Sequence, residues 1–266
     1  MASKVYEDIM ARVGHANAAH KAFGRLMEEF WKENPINGRS ERDETAGQRH
    51  YYVDNVPTMP MGPRLAFSGV ITNLRAALDH VAYHLVANAG GGINPRRTKI
   101  FFPIGNSAAD YPAWRDKCLP GVDPAILALV DSVEPCQGGK GHALWQLNEL
   151  ANADKHRLTI GATLSYGAMA LPFPKELVEF MRQNGAKEFE PPEIYIRPAV
   201  VGQPLQPGQR LLTEPIGDDE DNTPRKFRFE FFIQNPDFGN QKNVAQILDE
   251  IGQTADKTIR MFEPYL

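Results

Sequence analysis

The longest regular pattern in the chain runs from Pro63 to Asn88 (PRLAFSGVITNLRAALDHVAYHLVAN). Phe67, Val70, Ile71, Leu74, Leu78, Val81 and Leu85 recur at three- and four-residue spacing, the period of one helix face. Pro63 suits a first helical turn, and Gly90 to Gly92 end the pattern. Ser3 to Glu33 has the same period, with Val5, Ile9, Val13, Ala16, Phe23, Leu26, Phe30 and Trp31 on one side and Ser3 as the N-cap. Gly14 and Gly24 weaken it. Asn240 to Phe262 closes the chain with a third amphipathic helix carrying Val244, Ile247, Leu248, Ile251, Ala255 and Ile259.

Shorter helices are expected over Ala108 to Cys118 behind Ser107, and from Asp123-Pro124 to about Val133. Two more fall at His142 to Asp154 and Lys175 to Gln183. Beyond Asp154 the period changes. Leu158, Ile160, Ala162, Leu164 and Tyr166 alternate, as do Phe227, Phe229, Phe231 and Ile233 within Arg225 to Gln234, which argues half-buried strands. Further strands are expected at Arg49 to Val56, Thr98 to Pro103 and Ile194 to Val201, with a hairpin at Leu205 to Leu212. Asn34 to Gln48 reads as an exposed loop and Gly217 to Pro224 as an acidic turn.

Helices come first, then strands, then a helix. Segregated elements point to an α+β fold, a helical bundle packed against an antiparallel sheet. The sequence divides into a mainly helical part, 1–155, and a strand-rich part with the C-terminal helix, 156–266, expected to be continuous as one domain. The last helix suits either part.

Composition narrows the function classes. The 266 residues are 42% hydrophobic and 23% charged, ordinary for a globular protein. A formal net charge of −4 exerts no global pull on nucleic acid or anionic membrane, although a local basic patch remains compatible with it. No apolar run is long enough to span a bilayer, and MASKVYEDIMARVG has no apolar signal core, so the expected place is the cytoplasm. Cys118 and Cys136 have no metal-ligand spacing and read as free thiols.

Polar residues on the central helix carry the candidate chemistry. At about 100° per residue, Asn73, His80 and His84 share one shoulder of the apolar stripe, while Arg75 and Asp79, four apart, share the other and can pair. A second group lies in LNELANADKHR. Asp154, seven residues after Leu147, falls on the apolar side, where an ionised carboxylate needs a partner. His156, Lys155 and Arg157 follow it. Asp154 is expected to meet His80 or Arg75 across facing helices.

Together, NLRAALDHVAYHL and LWQLNELANADKHRLTI resemble a family of uncharacterised bacterial proteins. The matching positions are Asn73, Arg75, Asp79, His80, Asp154, Lys155, His156 and Arg157. That resemblance implies no particular activity. Arg75-Ala-Ala-Leu-Asp-His80 also resembles the Arg-x4-His spacing of HEPN nucleases, helical proteins that often act on RNA as dimers without metal. The resemblance implies His80 as general acid/base on an RNA 2′-hydroxyl and Arg75 as phosphate clamp, with Asp154 and His156 supporting. Asn73, Asp79, His84, Lys155 and Arg157 would bind. Ala76 departs from the polar residue customary after the arginine, and a small helical domain leaves the strand-rich segment unaccounted for.

Other readings stand beside this one. His80 and His84 have a common spacing for helical metal ligands, with Asp154 or His156 as a third, but that spacing is commoner in core-edge packing. No metal and no cofactor are expected. The same residues can instead form a buried Asp/His/Arg network in a non-enzymatic protein that binds a small anionic ligand or holds only its own register. The Lys226, Arg225 and Arg228 face of the last strand is a further anion candidate, and Gly138 to Gly141 precedes a helix without full P-loop spacing. The discriminator is physical. A nuclease needs Arg75 and His80 open to a cleft, across the two-fold axis of a homodimer and beside Lys155 and Arg157; a binding protein needs an enclosed pocket; a purely structural role needs both residues buried and mutually satisfied.

Overall fold

The periodicity of the first helix is realised without a break at its glycines. α1 spans Lys4–Glu33 and buries Tyr6, Ile9, Val13, Ala16, Phe23 and Phe30. In this computed structural model, which describes residues 3–90, 99–156, 161–171, 175–185, 194–198, 202–216, 225–234 and 242–266, α1 packs along α2, Met61–Asn88. Contacts run antiparallel: Gly62 lies against Leu26, the Phe23 and Phe67 rings meet edge-on at 6.4 Å, and Gly69 approaches Ala19. A Cβ on Gly69 would sit 3.3 Å from the Ala19 Cβ, so the glycine sets how closely the two backbones approach.

Short helices follow: α3, Tyr111–Cys118; α4, Pro124–Ser132; α5, His142–His156. α3 starts three residues later than expected. Ser107 still caps the preceding turn, taking the Asp110 N–H at 3.1 Å. Asp123 caps α4 by accepting from the Ala125 N–H at 2.7 Å, with Pro124 at the first helical position.

The strand part contains two three-stranded antiparallel sheets. One has the order β1-β2-β5, with β1 Gly38–Asp43, β2 Gln48–Val53 and β5 Arg210–Pro215. The other is β4-β3-β6, with β3 Ala162–Leu171, β4 Ile194–Ile196 and β6 Phe227–Ile233. α6, Lys175–Gln183, lies between β3 and β4 in sequence. α7, Val244–Met261, follows β6 and ends in a short 3-10 turn, Glu263–Tyr265. The Tyr51 and Phe227 rings, one from each sheet, meet at 5.7 Å.

Three expectations are corrected. The loop expected over Asn34 to Gln48 contains β1. All six of its residues are exposed, so no apolar alternation betrays it. Its register comes from a turn in which Asp43 accepts from the Ala46 N–H and Gly47 takes φ +61°. The strand expected over Thr98 to Pro103 does not form in its described residues, 99–103. Phe102 is nonetheless 1% exposed, its backbone bonded by side chains of α2. Leu205 to Leu212 is not a self-contained hairpin, because β5 pairs with β2. The acidic turn at 217–224 lies outside the described residues.

The class is α+β. The chain divides into two compact units that are each discontinuous in sequence: Met1–Glu33, Pro60–Gly161 and Ala245–Leu266 form the helical one, and Asn34–Met59 with Ala162–Val244 form the strand-bearing one. Thus α7 joins the helices, where Phe262 meets Phe102 at 6.1 Å and His20 of α1 reaches Asp249 at 3.4 Å. Ile247, Leu248, Ile251, Ala255 and Ile259 are buried, as their spacing predicts. Among the described residues, no helix is long and apolar enough to cross a membrane.

Candidate functional site

Helical geometry brings Arg75 and Asp79 together one turn apart on α2, with Nη2 to Oδ1 at 2.9 Å. The pair also holds the main chain of Phe102. Arg75 Nη2 donates to the Phe102 carbonyl at 3.3 Å, and the Phe102 N–H donates to Asp79 Oδ1 at 3.0 Å. Arg75 is 8% exposed. Burial pushes its guanidinium pKa down, against the attraction of Asp79, and pushes the Asp79 carboxyl up, against Arg75 and the Phe102 N–H. Each group thus offsets part of the cost of burying the other's charge. Hydrogen bonds to the Phe102 backbone offset part of the cost of placing this pair there, while Arg75 Nη1 has no hydrogen-bond partner among the described residues.

His80 points away from this pair, as the angular count requires, and is exposed. His84 is half-buried, its ring edge-on to Tyr83 at 5.3 Å, and burial followed by the neighbouring His80 lowers its pKa. Asn73 donates from Nδ2 to the Gly69 carbonyl at 2.8 Å, one turn back on its own helix.

The facing of α2 and α5 is observed, and the partner of Asp154 is corrected. Asp154 Oδ2 accepts from Ser68 Oγ at 2.5 Å. Ser68, Arg75 and Asp79 lie within about 40° on the helix wheel, so α5 meets the Arg75 shoulder. Asp154 reaches it two turns towards the N-terminus of α2, and a serine hydroxyl satisfies it there. Lys155 is exposed and within electrostatic reach of Asp79. His156 is the last residue of α5, and Arg157 lies outside the described residues. Among the described residues, no three His, Cys, Asp or Glu side chains converge as metal ligands would.

The glycine loop before α5 supplies its own anion. Lys140 offers its N–H at 3.2 Å and its Nζ at 2.6 Å to the Glu134 carboxylate. A Cβ on Gly139 would fall 2.4 Å from the Glu134 carbonyl oxygen, so the glycine serves a tight turn.

The arrangement therefore separates the two residues the nuclease reading needs together. Arg75 is inside and committed to Asp79 and Phe102, and His80 is outside on another face. Sequence reasoning missed Ser68 and Phe102. A lone serine on the shoulder of a helix carries no signal, and the bonding groups of Phe102 are its main-chain atoms, which residue type does not reveal. No family model matches the chain, and no curated protein or solved structure matches it significantly.

Proposed function

We propose that this chain is a non-enzymatic protein that binds a small anionic ligand, with the Arg75–Asp79 pair as part of its scaffold. What favours this reading over a nuclease is the engagement of the Arg75 guanidinium within the fold. At 8% exposure, with Asp79 and the Phe102 carbonyl as partners, it is not positioned to take a substrate phosphate. Metal-free RNA cleavage needs a proton shuttle and a charge clamp on the same phosphodiester. Here the histidine and the arginine occupy different faces of α2.

The test has two readouts on the full chain. Mixed RNA is incubated with it in EDTA and then with added magnesium, and no cleavage is expected. Thermal unfolding is followed in inorganic pyrophosphate and in sodium chloride of equal ionic strength. A ligand that binds only the native state raises the midpoint by mass action, so pyrophosphate should raise it further than chloride does. RNA cleavage that disappears in His80→Ala, or equal midpoints in the two salts, overturns the reading.

A further inference from the structure

A pocket in the strand-bearing unit, outside the α2–α5 cluster, has a volume of about 470 Å3. Its wall includes Arg39, Arg42, Arg49 and Arg225 together with Tyr51 and Phe227, and among the described residues no carboxylate lines it. This size lies within the range of small-ligand sites. The strand register makes the cation density unusual. Arg42 of β1 stands directly opposite Arg49 of β2 in the ladder, and like charges so placed repel.

Neighbouring groups offset part of this charge and leave part open. Glu214 of β5 is opposite Arg49, takes the Tyr51 hydroxyl at 2.6 Å and faces Arg225 at 2.9 Å. Arg39 is held by Glu41 and Asp54 and stacks over the Tyr52 ring at 4.6 Å. Arg49 reaches the Tyr51 hydroxyl. Arg42 pairs only with Glu44 among the described residues, at 2.8 Å, and the Glu44 side chain is 72% exposed. An exposed pair of this kind is weak and readily exchanged for a better anion.

The same wall is aromatic. Phe227 meets Tyr51 at 5.7 Å and Phe229 at 6.4 Å, and Phe229 is half-buried, with part of its surface open. Guanidinium forks match phosphate oxygens, and aromatic faces take planar rings. The geometry points to a phosphate ester carrying a planar base, a nucleotide, with its phosphate at Arg42 and Arg49 and its ring against Phe229. The same chemistry is offered by a free nucleotide and by a nucleotide within a single strand. This inference rests on the anion-binding reading above and gives it a site and a ligand class.

The experiment is calorimetric titration of the full chain with adenosine and uridine monophosphates, inorganic phosphate, adenosine and a hexa-adenylate RNA. Binding of at least one monophosphate is expected, at least tenfold tighter than phosphate or adenosine. Arg42→Gln should weaken it at least tenfold without moving the thermal midpoint, because Arg42 lies on an exposed strand. Arg49→Gln serves as the second variant. Tighter binding of the hexamer assigns the site to single strands, and equal or weaker binding assigns it to free nucleotides. The inference is overturned if no monophosphate and no hexamer saturates, or if both variants bind as the wild type does. Phosphate binding as tightly as either monophosphate overturns the nucleotide class alone and leaves the anion-binding reading standing. Failure of every anion, pyrophosphate included, removes both.

Discussion

Arg75 and Asp79, one turn apart on α2, grip the main chain of Phe102 from both sides, the guanidinium at its carbonyl oxygen and the carboxylate at its N–H. An Arg–Asp pair at this spacing on a helix surface contributes a few tenths of a kcal/mol. Here the arginine is buried and the carboxylate half-buried, and the pair bonds a segment that belongs to no strand. It secures the connection after α2 and seats the Phe102 ring against Phe262 of α7. This position in the core accounts for the arginine without assigning it chemistry.

The Asp154–Ser68 contact joins α5 to α2 by one charge-assisted bond. Ser68→Ala removes the donor and leaves a half-buried carboxylate without it. The expected loss is about 1–2 kcal/mol of unfolding free energy, read by urea titration. A loss below about 0.3 kcal/mol would mean that solvent satisfies Asp154 equally well.

His84 gives the fold a pH dependence of known sign. Its folded-state pKa lies below the ordinary value of 6.5, through burial first and His80 second. The unfolded chain therefore takes up the proton more readily. Stability due to His84 is fully present above pH 6.5 and falls as the pH drops from there through the folded pKa. The thermal midpoint should decline between pH 7 and pH 5.5, and His84→Gln should flatten that decline. An unchanged slope in the variant would assign the dependence elsewhere.

Both cysteines are free and buried, and burial pushes the Cys118 thiol up to about 11. Only the thiolate attacks a disulfide reagent, and at pH 8 about one Cys118 in a thousand would be ionised. An aromatic disulfide reagent should label neither cysteine of the native protein over minutes and both after unfolding in urea. Rapid native labelling of Cys118 would contradict its placement.

The helices were legible because their apolar stripes and their burial coincide. Val244 to Phe262 is the clearest case, each expected core position being buried. The Arg75–Asp79 pair was legible from its spacing alone. β1 was not, because Arg39, Ser40, Glu41, Arg42 and Asp43 bury neither face, and an exposed ladder is written in backbone bonds and turn chemistry. Thr98 to Pro103 misled in the opposite direction. Ile100, Phe101 and Phe102 have the composition of a strand, but two side chains of α2 took the bonds a sheet would have taken. The partner of Asp154 was missed by two helical turns, since a wheel gives the angle between helices' faces and not their offset along the axis. The arginines of the pocket were invisible as a group, since Arg42 and Arg225 are brought together only by the folding of the strands.

The most direct test of the scaffold role is a double-mutant cycle on Arg75 and Asp79, read by equilibrium urea unfolding. Arg75→Met leaves a half-buried carboxylate without its cation and Asp79→Leu leaves a buried guanidinium alone, so each should cost about 2–4 kcal/mol. The double variant should cost about as much as either single one, giving a coupling of at least about 2 kcal/mol. Single variants within about 0.5 kcal/mol of the wild type would show that the pair does not hold the fold, contradict the account and return Arg75 to the list of candidate catalytic groups.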